Sequence, residues 1–216
     1  MSAATVTTAS TDGFVLIGGA NTVATALIGS DGNDTITAST LGLSTITGGK
    51  GDDGIALNAT AKNTVIFEST AALNGNDTIT VFTAGTTKDV LNFDAFVNVD
   101  GITTSAGNVT GTVAAATGVG TSDTFDIASK VVFLDTDEFA DTTAILAGIS
   151  DATGASNMGL ADGAKAVILS GDVAAGAITF NMYYITGGTG ATDTITLVGT
   201  VAADAGNALA ADQFIV

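Results

Sequence analysis

The sequence predicts an all-β fold in which a parallel β-roll is followed by an antiparallel β domain with one short helix. The 216 residues are 46% hydrophobic and include 28 Gly but no Pro, which fits a packed β protein rather than a disordered chain. Short apolar segments alternate with Gly-rich turns along the chain. A nine-residue pattern recurs in the first half. We therefore assign residues 1–96 to the roll, with a Thr-rich N-terminal leader, and residues 97–216 to a second, sandwich-like domain.

The nine-residue pattern is clearest in residues 48–56, which read G-G-x-G-x-D-x-U-x, where U is a large apolar residue. Repeats of this kind bind calcium at the turns between short parallel strands. Glycine allows the left-handed backbone of such a turn, and the Asp carboxylate is a hard oxygen ligand. A second copy covers residues 29–37, and a shortened third copy covers residues 74–80.

The order of turns and strands predicts that all acidic turns lie on one edge of the roll. Asp34 and Asp53 are 19 residues apart, close to two repeats, so their turns should stack and share a calcium ion. Asp53 and Asp77 are 24 residues apart, so the third turn should bulge. The predicted metal site comprises Gly29, Asp31, Asn33, Asp34, Gly48, Lys50, Asp52, Asp53, Asn74, Asn76, Asp77 and Asp89. The predicted interior apolar ladder comprises Ile36, Ile46, Ile55, Ile66, Ile79 and Leu91. Metal-free β-turns are the alternative, because Asn, Asp and Gly dominate turns in general, but the repetition favours calcium.

The charge and the missing residue types exclude several classes of function. The net charge is −17, from 22 acidic and 5 basic residues, so nucleic acid and anionic membranes should be repelled, whereas divalent cations should be attracted. Cys and His are absent, which excludes disulfides, thiolate sites and imidazole relays. The N-terminus lacks the pattern of a secretory signal peptide, and no apolar stretch is long enough for membrane insertion.

One part of the chain resembles the segment that closes the β-roll in repeats-in-toxin proteins, such as secreted proteases and surface-layer proteins. It comprises residues 63–67, 75–82, Gly85 and residues 89–96. Val81 and Asn92 stand where that family tends to have Asp. The ending at residues 212–216 is similar to the acidic and then hydrophobic signal that type I exporters read. The resemblance implies calcium binding, secretion through a type I exporter and folding outside the cell.

The second half predicts strands near residues 108–116, 124–127, 131–134, 166–169, 178–185 and 193–201. It also predicts one helix over residues 137–146. Glu68 and Glu138 are the only Glu residues, and a two-carboxylate hydrolase built on them is the least favoured reading, because nothing in the sequence pairs them.

These observations together predict a non-enzymatic structural protein that is secreted and lies outside the cell or on its surface. We expect it to fold and self-assemble on binding calcium, as a surface layer or a biofilm-matrix filament. Its partners would be other copies of itself, joined through sheet edges or a donated strand, as well as the type I exporter and cell-surface polysaccharide. The alternative is a monomeric calcium-dependent adhesin or glycan-binding module.

Overall fold

The structure, a computed structural model, describes residues 2–5, 10–20, 22–85, 88–97, 131–134, 163, 165–172, 179–188, 193–204 and 213–215, with residues 2–5 and 131–134 as backbone only. The strands in the first half are β1 (Ser2–Thr5), β2 (Val15–Ile17), β3 (Thr25–Ile28), β4 (Thr35–Thr37), β5 (Ser44–Thr47), β6 (Gly54–Ala56), β7 (Thr64–Ile66), β8 (Asp77–Phe82) and β9 (Val90–Asn92). The later strands are β10 (Val131–Leu134), β11 (Lys165–Asp172), β12 (Thr179–Thr186), β13 (Thr194–Ala203) and β14 (Phe214–Ile215). Two four-residue helices are present, α1 (Ala71–Asn74) and α2 (Asp94–Val97).

The strands form two sheets, and from β2 to β9 the chain alternates between them. One sheet has six strands in the order β1-β3-β5-β7-β9-β14, all paired in parallel. The other has eight strands in the order β10-β11-β12-β13-β8-β6-β4-β2. Turns therefore fall alternately on two edges, as the sequence spacing predicts.

The core is a double row of apolar side chains between the two sheets, because the central residue of each short strand points inward. The six-stranded sheet contributes Leu27, Ile46, Val65, Leu91 and Phe214, which are successive register partners. The eight-stranded sheet contributes Leu16, Ile36, Ile55, Ile79 and Val201 in the same way. All ten are at most 5% exposed, and burial of each such side chain contributes roughly 1.5–3 kcal/mol.

Five of the six residues in the predicted ladder are confirmed as buried, but the choice of Ile66 is wrong. Val65 is the inward residue of β7, whereas Ile66 is only partly buried. Val65 pairs with Ile46 on one side and with Leu91 on the other, so this register places Ile66 on the outer face. A one-residue difference in register reverses which face a side chain occupies.

The predicted fold class, a parallel roll followed by a distinct antiparallel β domain, is wrong. Strands β11, β12 and β13 do pair antiparallel, but β13 then pairs in parallel with β8, so the later strands extend the same eight-stranded sheet. The physical reason is that β8 would otherwise leave an open hydrogen-bonding edge. Strand β13 covers that edge and places Val201 beside Ile79. The result is a pair of sheets, one fully parallel and one mixed.

Several predicted elements of the second half can be compared directly with the structure. The strands predicted near 131–134, 166–169, 178–185 and 193–201 correspond to β10, β11, β12 and β13. The helix predicted over 137–146 and the strands predicted at 108–116 and 124–127 lie outside the described residues. The boundary placed after residue 96 stays a prediction. None of the helices in the described ranges has the length and apolar character needed to cross a membrane.

Candidate metal site at the acidic edge

Three turns of the two-sheet coil bring buried carboxylates together on one edge. We call this the acidic edge and define it by Asp34, Asp53 and Asp77, each 2% exposed. Asp34 and Asp53 directly precede β4 and β6, and Asp77 is the first residue of β8; these three strands are neighbours in the eight-stranded sheet. The edge therefore places three acidic side chains in successive turns of the coil.

Each of these carboxylates accepts a hydrogen bond from the backbone of the preceding turn. Phe14 N–H donates to Asp34 Oδ1 (2.6 Å), Asp34 N–H donates to Asp53 Oδ1 (2.7 Å), and Asp53 N–H donates to Asp77 Oδ1 (3.1 Å). The register survives the longer interval before Asp77 because α1 takes up additional residues there. An Asp at this position is thus a structural acceptor, whatever else it binds.

A second row of hydrogen bonds runs through the residues just before these three. Asp52 N–H donates to Asn33 Oδ1 (3.0 Å), and Asn76 N–H donates to Asp52 Oδ1 (2.9 Å). Here the side chain accepts from the following turn, so the two rows run in opposite directions. Short Asn and Asp side chains suit this task because they reach backbone amides near their own turn. The paired acidic and amide residues of the repeat therefore have a role in fixing the stack.

The first and third carboxylates of the acidic edge are fully engaged by protein donors. Asp34 accepts the Ser30 N–H at Oδ2, and the Ser30 hydroxyl donates to its Oδ1 (3.1 Å). Asp77 accepts the Asn74 amide at Oδ2 (3.3 Å), and the same amide donates to the Val198 carbonyl in β13 (3.0 Å). Neither carboxylate has an oxygen without a donor.

The middle carboxylate differs from its neighbours. Asp53 Oδ2 is buried and has no hydrogen-bond partner among the described residues. The Gly49 N–H, which corresponds to the Ser30 N–H one turn earlier, donates instead to Glu68 Oε1 (3.2 Å). Glu68 Oε2 is likewise buried without a partner in the described part of the chain. Gly48 allows this arrangement, because a Cβ at that position would lie 2.1 Å from Asp53 Oδ2.

Burial raises the pKa values of the Asp53, Glu68 and Asp77 carboxyl groups. The pKa of Asp53 is raised to about 7, chiefly by removal from water; the Asp34 N–H opposes this rise, and the charges of Asp34 and Asp52 contribute to it. Burial raises the pKa of Glu68 to about 7, with a contribution from Asp53. Burial raises the pKa of Asp77 to about 9, with contributions from Asp53, Glu68 and Asp52. At neutral pH the group must therefore hold protons or be neutralised by a cation.

The remaining residues of the predicted metal site have different surroundings. Asp31 forms an ion pair with Lys50 on the surface of the edge, with the two side chains 34% and 44% exposed. Gly29 leaves room for the Asp34 carboxylate, because a Cβ at this position would lie 2.3 Å from Asp34 Oδ2. Asp89 does not join the acidic edge: it accepts the Asn63 N–H (2.7 Å) and the Thr83 N–H (2.7 Å), on the opposite edge of the coil.

Two residues next to the buried carboxylates are missing from the predicted site. Glu68 opens the third turn, one residue after Phe67, and its position on the acidic edge was the signal that could have identified it. The Tyr184 hydroxyl donates to the Glu68 carbonyl (3.0 Å), a contact between residues 116 positions apart that sequence spacing does not reveal. Burial raises the pKa of Tyr184, and the Glu68 and Asp77 charges add to that effect, so its ring lies close to the carboxylates.

The donor set fits a hard cation only in part. In the described ranges no group of three or more Asp, Glu, His or Cys side chains is arranged to hold a metal ion. Two carboxylate oxygens without donors, on Asp53 and Glu68, are nevertheless the ligand type that calcium prefers. Calcium takes six to eight oxygens, so backbone carbonyls and water would have to complete its shell.

The known proteins give no independent guide to this site. No model of a protein family, no curated protein and no solved structure matches the chain. The resemblance to repeats-in-toxin proteins therefore stays a prediction.

Proposed function

We propose that this chain is a non-enzymatic extracellular structural protein that folds on binding calcium and then assembles with copies of itself. The observation that carries the proposal lies at the acidic edge, where Asp53 and the adjacent Glu68 each bury an oxygen that has no donor among the described residues. The chain has a net charge of −17, which opposes a compact state unless cations offset it. Asp53 and Glu68 would hold the ion, and the ion would supply the positive charge that ionised carboxylates need in a buried position.

The ionic conditions on the two sides of a cell membrane explain how such a protein would be controlled. Extracellular calcium modules have dissociation constants of about 10⁻⁴ to 10⁻³ M, so they are empty in the cytosol and loaded outside. An ion that binds the folded state and not the unfolded state stabilises the folded state by about 1.4 kcal/mol when the calcium concentration is tenfold above the dissociation constant. Folding would then follow export, in keeping with passage through a type I exporter.

The position of the C-terminal residues supports export before folding. Phe214 is 5% exposed and belongs to β14, which pairs with β9. Gln213 is fixed by its amide, which donates to the carbonyls of Thr83 (3.1 Å) and Asp89 (3.0 Å). An exporter that reads this ending as a signal would have to do so while the chain is unfolded.

The ends of the eight-stranded sheet support assembly. In β2, at one end, Val15 and Ile17 are 72% and 66% exposed and flank the buried Leu16. An apolar edge strand is a docking site for another strand unless something covers it. The pairings along the sheet give β2 and β10 the same direction. Pairing of β10 in one copy with β2 in the next would thus extend a parallel edge, and a head-to-tail contact whose rotation does not close into a ring produces an open filament.

The test is a comparison of purified protein in chelator and in millimolar calcium. At pH 8 we expect circular dichroism to report much more β structure with calcium than with chelator, and electron microscopy to show polymers that sediment and that chelator dissolves. A monodisperse folded particle in calcium would favour the adhesin or glycan-binding alternative. The same compact monomer in both conditions would contradict the proposal.

A further inference from the structure

We infer that a single hard cation binds between Asp53 and Glu68, through Asp53 Oδ2 and Glu68 Oε2, rather than between the stacked turns of Asp34 and Asp53. This inference rests on the proposed calcium dependence and specifies where the ion is held. Glu68 is absent from the nine-residue pattern, so the site is a feature of this chain's own third turn.

The two equivalent turns differ in the donors that they supply. In the turn before β4, Ser30 donates its N–H to Asp34 Oδ2 and its hydroxyl to Asp34 Oδ1, so both oxygens of Asp34 have donors. In the turn before β6, Gly49 occupies the place of Ser30, has no hydroxyl and directs its N–H to Glu68. The turn before β6 thus lacks the N–H donor that satisfies Oδ2 in the earlier turn, as well as the hydroxyl that donates to Oδ1 there.

Asp53 Oδ2 and Glu68 Oε2, the two oxygens without donors among the described residues, belong to carboxylates that lie beside the same turn. Asp53 Oδ2 faces Gly48, and Glu68 Oε1 accepts from Gly49, so both carboxylates flank the same pair of glycines. Asp53 is 2% exposed, and a buried carboxylate oxygen without a donor is costly unless a cation or a proton satisfies it. The neighbouring Lys50 is already paired with Asp31, on the surface.

The two carboxylates beside these glycines could also be satisfied by a proton instead of a metal ion. Such a proton requires no metal and would disappear as the pH rises, whereas a bound cation would displace the proton and remain at high pH. The choice is therefore open to direct measurement at pH 8, where a cation should bind and a proton should not.

The test uses terbium, which replaces calcium at oxygen sites and luminesces when a nearby tyrosine absorbs light. The chain has two Tyr and no Trp, and the Tyr184 hydroxyl lies 3.0 Å from the Glu68 carbonyl oxygen. We expect tyrosine-sensitised emission at pH 8, displaced by calcium. Tyr184→Phe should lose most of that emission while terbium uptake, measured by calorimetry, stays unchanged.

Charge variants identify the ligands. Glu68→Gln keeps the acceptor for Gly49 but should weaken terbium and calcium binding by at least about 10- to 100-fold, which is the loss typical of even an outer-shell partner. Asp12→Asn, the matched control, removes one acidic charge from an exposed side chain in the turn before β2 and should leave affinity and ion count as in the wild type.

The outcomes separate this inference from the proposed function. If Glu68→Gln binds the ions as the wild type does while calcium still folds the protein, the inference is overturned and the proposed function stands. If the wild type binds neither ion, both are overturned. If Glu68→Gln does not fold, the Tyr184→Phe variant decides. The inference is overturned if the wild type shows no tyrosine-sensitised terbium emission. It is also overturned if Tyr184→Phe shows the same emission as the wild type.

Discussion

In the presence of chelator, the free energy of unfolding should fall as the pH rises from 5 to 8. The perturbation is the ionisation of Asp53, whose pKa is raised from 3.8 to about 7 by burial. Below the unfolded-state pKa the side chain is neutral in both states, and stability is fully present. Between the two values the folded state binds the proton more tightly than the unfolded state does, so stability is lost as the pH rises through 7.

The magnitude follows from the difference between the two pKa values. A difference of about 3 pH units corresponds to about 4 kcal/mol, and within the window the loss is about 1.4 kcal/mol per pH unit. Glu68 and Asp77 act in the same direction, because their pKa values are also raised, to about 7 and about 9. A domain has only about 5–15 kcal/mol in total, so the chelated protein should be close to unfolding at pH 8.

The assay is urea unfolding followed by circular dichroism in chelator at half-unit steps of pH. Asp53→Asn keeps an acceptor for the Asp34 N–H but cannot titrate, so its stability should depend less steeply on pH, by about 1.4 kcal/mol per unit. Calcium should reduce the loss in the wild type at pH 8. A free energy that is constant or rises between pH 5 and pH 8 in chelator would refute the reasoning.

Three further predictions concern the turn, the core and the sheet edge. Gly49→Ala should lower the free energy of unfolding by at least about 1–3 kcal/mol in urea with calcium, because φ is +98° and the Cβ would lie 2.0 Å from the Ser30 carbonyl oxygen. Gly54→Ala is the control, since the nearest atom to its Cβ would be 3.9 Å away. An equal loss in the control would contradict the reasoning. Ile55→Ala should cost about 2–5 kcal/mol in the same assay, since this side chain is 1% exposed; a loss below about 1 kcal/mol would mean that the ladder is not the core. Ile17→Lys should change the free energy of unfolding by less than about 0.5 kcal/mol, because the side chain is exposed, but it should abolish sedimentable polymer in calcium. If the variant forms as much polymer as the wild type, β2 is not the strand that joins the copies.

The first half of the fold was predictable because its information is local. Strands β4, β5 and β6 each place one large apolar residue between polar or small neighbours. The turns carry Gly, Asn and Asp at repeated intervals, so these strand positions and the acidic edge follow from the sequence. Strand β7 shows the limit of this approach. Val65 and Ile66 are both β-branched and adjacent, and only the register with Leu91 decides that Val65 points inward.

The second half was harder to predict because its decisive contacts join distant residues. The pairing of Gly199 with Asp77 and of Val201 with Ile79 connects β13 to β8 across more than a hundred residues. Nothing in the β13 sequence specifies which open edge it will meet. Asp89 was included in the predicted metal site because its motif resembles a metal ligand, but its hydrogen-bond partners, Asn63 and Thr83, lie in other segments, on the opposite edge of the coil.

The hydrogen-bond rows and the ion site have different roles at the acidic edge. The rows use one carboxylate oxygen per turn to accept a neighbouring N–H, and they need no metal. In the proposed site, a cation is needed where a carboxylate oxygen has no donor among the described residues, and this happens where Gly49 stands in place of Ser30 and Glu68 enters. On this proposal the number of ions follows the donors missing from the edge rather than the number of repeats, so that a chain with one complete repeat and two altered copies would still bind calcium.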